Sequence, residues 1–290
     1  MFGFTEMFQH DFMVRAFLAG LMVAVICPSI GLFLVLRRLS LIGDTISHIS
    51  LAGVAGGMLW GVYPPLMALT FSLIAVLGLE KLRRSYQNYA EISTAVFLSG
   101  GVALAVILLS VKKSASSDII SYLFGSIIAV NRQDLVILSA VLAIVLIVIG
   151  SLYHRFFYIS FSEEKAQLSG LPVYGLNLVL MVLAALVVAS SMRIVGILLV
   201  SSMLVLPVAA SLQIARSFRE AFWLAQAYAL TSVTAGLLAS YFLDLAPGGS
   251  IVLLAAFLLV STILVKKAWL RLRPLRAKDR LSAKELAKIQ

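Results

Sequence analysis

Long apolar runs, broken by short polar stretches, organise this chain from end to end. Nine stand out, over residues 14–36, 45–62, 64–82, 90–111, 134–154, 173–191, 194–215, 220–243 and 249–265. A helix needs roughly 20 apolar residues to cross the hydrocarbon of a bilayer. Backbone polar groups there must be satisfied within the segment, which favours helices. The pattern therefore predicts an all-α polytopic bundle of about nine transmembrane helices. The polar stretches 81–91, 112–118 and 160–170 lie between runs, and no low-complexity segment or short-period repeat interrupts the alternation.

Composition sharpens this picture. Of 290 residues, 61% are apolar and only 12% are charged, and the mean hydropathy is +1.05. Soluble domains carry about 25% charged residues, so a soluble globular protein is excluded. No stretch large enough for a soluble nucleotide-binding domain is left over. The net charge of +10 would suggest nucleic acid in a soluble protein. In a membrane protein it belongs on cytoplasmic loops and sets orientation, so no nucleic-acid partner is expected. With nine spans, an outside N-terminus and a cytoplasmic C-terminus, 18 of the 23 Lys and Arg residues fall on the cytoplasmic side. Residues 1–265 then form one transmembrane domain. Residues 266–290 form a basic cytoplasmic tail suited to anionic lipid. The single cysteine, Cys27, excludes an internal disulfide and a multi-cysteine metal site. The first residues lack the basic start and small-residue cleavage site of a signal peptide.

Ionisable residues inside apolar segments are costly and point to function. The clearest pair is Asp44 and His48, in Leu41-Ile-Gly-Asp-Thr-Ile-Ser-His-Ile-Ser. On a helix, positions four apart share a face. A carboxylate and an imidazole so placed can hold one divalent cation, zinc or manganese among them. Two ligands suit a cargo that must also leave. The residues alone equally admit Asp44 as the N-cap of the second span, with His48 a satisfied helix polar group. Gly53, Gly57 and Gly61 follow at intervals of four, a small-residue row that lets another helix approach. Glu91 opens the fourth run and is a weaker third carboxylate, with an interfacial or capping reading beside it. Asp118 and Asp134 flank a loop and read as solvated or capping. Pro28 and Pro207 interrupt the first and seventh runs, where proline frees backbone carbonyls.

The segment from Ser162 to Pro172, Ser-Glu-Glu-Lys-Ala-Gln-Leu-Ser-Gly-Leu-Pro, reads as a short capped helix between two spans. The chain has neither a His-Glu-x-x-His zinc motif nor a Gly-x-x-x-x-Gly-Lys-Ser/Thr phosphate loop. Any ATP it depends on must be bound by another chain, and no enzymatic activity of its own is expected.

The stretch from Leu36 to Gly53 resembles the signature of the zinc/manganese/iron ABC transporter permeases. Ser121-Tyr-Leu-Phe-Gly-Ser, Glu163 to Pro172, the stretch from Arg193 through Gly196 to Pro207-Val-Ala-Ala, and Pro247-Gly-Gly-Ser-Ile-Val-Leu match that family in order. The resemblance implies a homodimer of permeases in a bacterial cell membrane. Two ATP-binding subunits would dock on the cytoplasmic side, and an extracytoplasmic protein would deliver a divalent metal as cargo, with no permanently bound cofactor. It implies that Asp44 and His48 touch the metal. It also implies that the segment 162–172, with Glu163, Glu164, Gly170 and Pro172, is the coupling helix seated in the ATPase. Asp44-Thr-Ile-Ser-His48-Ile-Ser-Leu-Ala-Gly53 looks more like the zinc-type members than the manganese-type ones. The rival readings are a manganese or iron importer, or a secondary carrier using the Asp/His site. Such a carrier needs ionisable relays across several spans, and only Asp44, His48 and Glu91 are available.

Overall fold

A computed structural model describes residues 10–85, 90–111 and 116–286, with the side chains of 90, 116–118 and 270–286 left aside. Among the described residues the secondary structure is helical throughout, with no strand. The elements are α1 (Asp11–Leu36), α2 (Ser40–Trp60), α3 (Pro64–Ser85), α4 (Ala90–Val111), α5 (Ser116–Phe124), α6 (Arg132–Phe161), α7 (Glu163–Leu168), α8 (Val173–Ser191), α9 (Ile197–Ile214), α10 (Phe218–Leu243) and α11 (Pro247–Leu286).

Eight of these helices are long and apolar enough to cross a membrane. They correspond to eight of the nine apolar runs. The ninth run became α2, which is less apolar because it carries Asp44, His48, Ser40, Thr45, Ser47, Ser50 and four glycines among its 21 residues. At 1.5 Å per residue it is still about 31 Å long.

Two sets of polar contacts mark the ends of the bundle. At one end Arg37, Glu163 and Asn177 bond to one another. At the other Tyr63, Tyr122, Asp134 and Arg193 do so. α2 begins beside Arg37 and ends beside Tyr63, so it runs from one end to the other like its neighbours.

Interior packing follows from small residues. A Cβ on Gly53 would lie 2.6 Å from the Ala68 Cα, and one on Gly57 would lie 2.8 Å from the Pro64 Cα. α2 and α3 therefore cross with their backbones nearly touching, and Ser50 and Ser72 share a hydrogen bond of 2.6 Å across that seam. Close backbone approach of this kind maximises dispersion contact where lipid offers no hydrophobic drive. On another side α2 meets α4, where Thr45 Oγ1 donates to the Thr94 carbonyl at 3.5 Å and Gly101 faces Ile49. Gly43 faces Ser201 and Leu204 of α9. α2 is thus the central helix. Gly61 has a different part: it caps α2 in the left-handed region at φ +69°, with open space around it. Glycine adopts that conformation without strain.

α1 is continuous through Pro28 and α9 through Pro207. Near Pro28 the backbone is served by side chains. Ser29 Oγ donates to the Val25 carbonyl at 2.7 Å, and Gln226 Nε2 of α10 donates to the same carbonyl at 3.2 Å and to Ser29 Oγ at 2.8 Å. Neighbouring helices re-satisfy a proline-disturbed backbone in this way.

The structure departs from the sequence reading at several boundaries. α2 starts at Ser40, so Asp44 lies inside the helix and Leu39 is the N-cap. The capping alternative for Asp44 is thereby removed. The seventh run begins as a turn, with Gly196 at φ +91°, and becomes helical only at Ile197. α5 is a short helix that the apolar pattern did not separate from its surroundings.

Candidate metal pathway and coupling surface

Asp44 and His48 lie one turn apart on the continuous helix α2, which puts their Cβ atoms about 6 Å apart. Both are half-buried, whereas Thr45, Ile46, Ser47, Ile49 and Ser50 around them are buried. Positions around them meet α3 through Ser50 and Ser72, α4 through Thr45 and Thr94, and α9 through Gly43 and Ser201. Neither side chain has a hydrogen-bond or ion-pair partner among the described residues. A carboxylate and an imidazole so placed are two groups of the kind that can ligate a divalent cation. Among the described residues no group of three or more His, Cys, Asp or Glu side chains could close around a metal. Glu91, exposed in the first turn of α4, is not brought into a group with Asp44 and His48.

α7 stands at the Arg37 end. Ser162 caps it, its Oγ accepting from the Lys165 amide at 3.3 Å. The stop follows at once: the Gly170 amide donates to Gln167, the Leu171 amide donates to Ala166, and Gly170 sits at φ +77°. Pro172 is the N-cap residue of α8. Only Ala166 of this helix is buried. Glu164 and Gly170 are exposed, and Leu168 is 88% exposed.

Glu163 turns the other way. Its carboxylate lies 3.2 Å from the Arg37 guanidinium and accepts from Asn177 Nδ2 at 3.1 Å. Arg37 Nη1 donates to Asn177 Oδ1, closing a triangle. Burial pushes the Arg37 guanidinium below its ordinary range, and the negative charge of Glu163 opposes that shift. Glu80 and Arg83 of α3 form an ion pair of 3.5 Å nearby and act on Arg37 through their charges. Sequence reading had Arg37 only as a loop charge; nothing local in sequence ties it to Asn177, 140 positions away.

The opposite end has its own cluster. Arg193 Nη1 meets Asp134 Oδ2 at 2.9 Å, and Arg193 Nη2 donates to the Tyr122 hydroxyl at 3.0 Å. Its guanidinium lies 5.5 Å from the ring centroids of both Tyr63 and Tyr122. Burial works against the Arg193 charge, but Tyr122 and Asp134 outweigh it and raise the pKa. Asp134 also accepts from the Asn131 amide at 2.9 Å, so it caps α6 as expected, but it is buried and not solvated.

This arrangement defines a class: a helical, multi-pass membrane protein with an Asp–His pair on its central helix and a short exposed helix at one end. Residues 9–266 match the ABC 3 transport family. The chain belongs to that family. It is 36% identical to a probable metal transport system membrane protein of Treponema pallidum, over 89% of this chain and 96% of that protein. It is 33% identical to the manganese transport system membrane protein MntC of Listeria monocytogenes, over 86% and 89% of the two chains. It is 29% identical to the high-affinity zinc uptake system membrane protein ZnuB of Haemophilus influenzae, over 88% and 98%. The solved structure of PsaBC from Streptococcus pneumoniae in complex with Fab superposes with a TM-score of 0.82 at 31% identity, covering 93% of this chain and 98% of that one.

Proposed function

We propose that this chain is the permease subunit of an ATP-driven divalent metal importer, with zinc the favoured cargo and manganese the next. The observation that carries this reading is the Asp44–His48 pair, unpartnered and half-buried on the central helix of the bundle. A neutral imidazole and an ionised carboxylate can each give one ligand to a passing cation near neutral pH. Two ligands hold a metal only briefly, which suits transport. A second copy of the chain would supply the same pair by symmetry, giving up to four ligands. Relatives named for manganese and for zinc support a divalent metal. The Asp44-Thr-Ile-Ser-His48-Ile-Ser stretch tips the choice to zinc.

The chain has no phosphate-binding loop, so two separate ATP-binding subunits supply the energy. α7, with Glu163, Glu164 and the Gly170–Pro172 stop, seats in them. The Arg37 end is then cytoplasmic and the Arg193 end faces outward, where an extracytoplasmic metal-binding protein docks. In this orientation the N-terminus is outside and the basic tail is cytoplasmic, in keeping with the Lys and Arg distribution.

Metal uptake in cells lacking the gene tests the reading. Complementation by wild type, and not by Asp44→Ala or His48→Ala, is expected for zinc. Uptake restored equally by all three would remove the pair as the metal half-site. No uptake of zinc or manganese with wild type, in cells holding the partner subunits, would overturn the importer reading.

A further inference from the structure

We propose that Arg37 is a positioning residue that ties the coupling helix α7 to α2, so that a displacement of α7 reaches Asp44 and His48 directly. The inference rests on the reading of α7 as the ATPase contact and goes beyond it by naming the mechanical link.

Three observations carry it. First, the Arg37 side chain is 4% exposed, and its guanidinium bridges two elements at once: Glu163 of α7 at 3.2 Å and Asn177 of α8. Asn177 in turn donates to Glu163 at 3.1 Å, so the triangle resists shear between α7 and α8. Second, Arg37, Arg38 and Leu39 are the whole connection between α1 and α2. Three residues give almost no slack. Third, that connection is not relaxed. Arg38, a non-glycine residue, is held at φ +58°, a conformation that persists only where the surroundings impose it. The Arg38 amide donates to Val35 and the Leu39 amide to Leu34, pinning the turn at 3.0 and 2.8 Å. A buried guanidinium follows its partners, because leaving it unpaired is strongly unfavourable. When Glu163 moves, Arg37 moves with it, and the start of α2 follows.

The test uses the complex of this chain with its ATP-binding subunits in lipid vesicles. Arg37→Met keeps bulk and removes charge; Glu163→Gln removes the partner charge. Two readouts are taken. One is zinc or manganese uptake per ATP hydrolysed. The other needs no metal: the rate at which a cysteine introduced at Leu41, 56% exposed in the first turn of α2, reacts with an impermeant thiol reagent, with and without vanadate-trapped nucleotide. Cys27, the sole native cysteine of this chain, is buried, and ATP-binding subunits stripped of their cysteines confine the signal to position 41.

In the native background, trapping should change the Leu41→Cys rate. In either variant that change should vanish; in Arg37→Met, which leaves α7 itself unaltered, ATP hydrolysis should continue and uptake per ATP should fall about tenfold, an ordinary size for coupling between sites. The double variant should be no worse than either single one, as expected of residues acting through each other. A nucleotide response that persists in the variants, or is absent from the native protein, overturns the link. So does additive loss in the double variant, or failure of both variants to assemble with the ATPase. Native vesicles that take up neither metal would overturn the importer reading instead, while the labelling result would still judge the link.

Discussion

The Arg193 guanidinium stands 2.9 Å from the Asp134 carboxylate, and the two side chains are 16% and 9% exposed. They belong to elements 59 positions apart in sequence. Tyr63 and Tyr122 complete the group, so one arginine ties together the α2–α3 turn, α5, the start of α6 and the α8–α9 turn.

Removing Asp134 should therefore loosen this whole end of the bundle. Asp134→Ala leaves a largely buried guanidinium without its counter-charge, a change that typically costs about 3–5 kcal/mol. The expected outcome is a large drop in the thermal midpoint of the detergent-solubilised protein. Glu164→Ala, at an exposed position, serves as the comparison. Equal midpoints for the two variants would show that the Arg193 cluster contributes little.

Tyr63 gives this cluster a pH dependence. Burial, followed by the negative charge of Asp134, raises its phenol above the ordinary 10.0. An acid whose folded pKa exceeds its unfolded value stabilises the fold fully below the unfolded pKa. That stabilisation is lost as pH rises through the folded one. Stability should thus fall as pH climbs past 10.0. Tyr63→Phe should flatten that part of the curve in denaturation measured at successive alkaline pH values. An unchanged slope in the variant would assign the loss to other groups.

Glycines on the same bundle should respond oppositely to one methyl group. Gly53→Ala sets a Cβ against the backbone of α3, 2.6 Å from the Ala68 Cα, where no side chain can yield. Gly100→Ala, inside α4, meets nothing within 4 Å. The first should destabilise by about 1–3 kcal/mol through overpacking. The second should be neutral or gain up to about 1 kcal/mol from helix propensity. Thermal midpoints of the two variants check this directly.

Leu168 separates stability from assembly. It is 88% exposed at the end of α7, so Leu168→Asp should change the stability of the isolated permease by no more than about 0.5 kcal/mol. If α7 seats in the ATPase, the same change buries a charge in that interface and should abolish co-purification. Full retention of the ATPase would remove α7 as the contact.

The chain's own pattern of residues was enough to define a helical membrane protein, most of its spans and the pairing of Asp44 with His48. Each of these rests on local rules: a run of apolar residues must become a helix in lipid, and positions four apart must share a face. Even Ser162 and Gly170 announced α7 by local capping chemistry. Local rules also mark where the sequence stopped. It left Asp44 open between cap and ligand, because the start of α2 depends on how the turn after Arg37 is held. It read Arg37 and Arg193 as charges sorted by side of the membrane, and Asp134 as a solvated or capping residue beside a loop. Their partners, Glu163, Asn177, Tyr63 and Tyr122, come from distant segments. Only the packing of the bundle brings those segments together, because long-range ion pairs form after close-packed helices fix which ends meet. Tertiary structure likewise gave Gly53 and Gly57 to helix packing and Gly61 to a turn. Three glycines with one spacing look alike in sequence and differ only in what lies across from them.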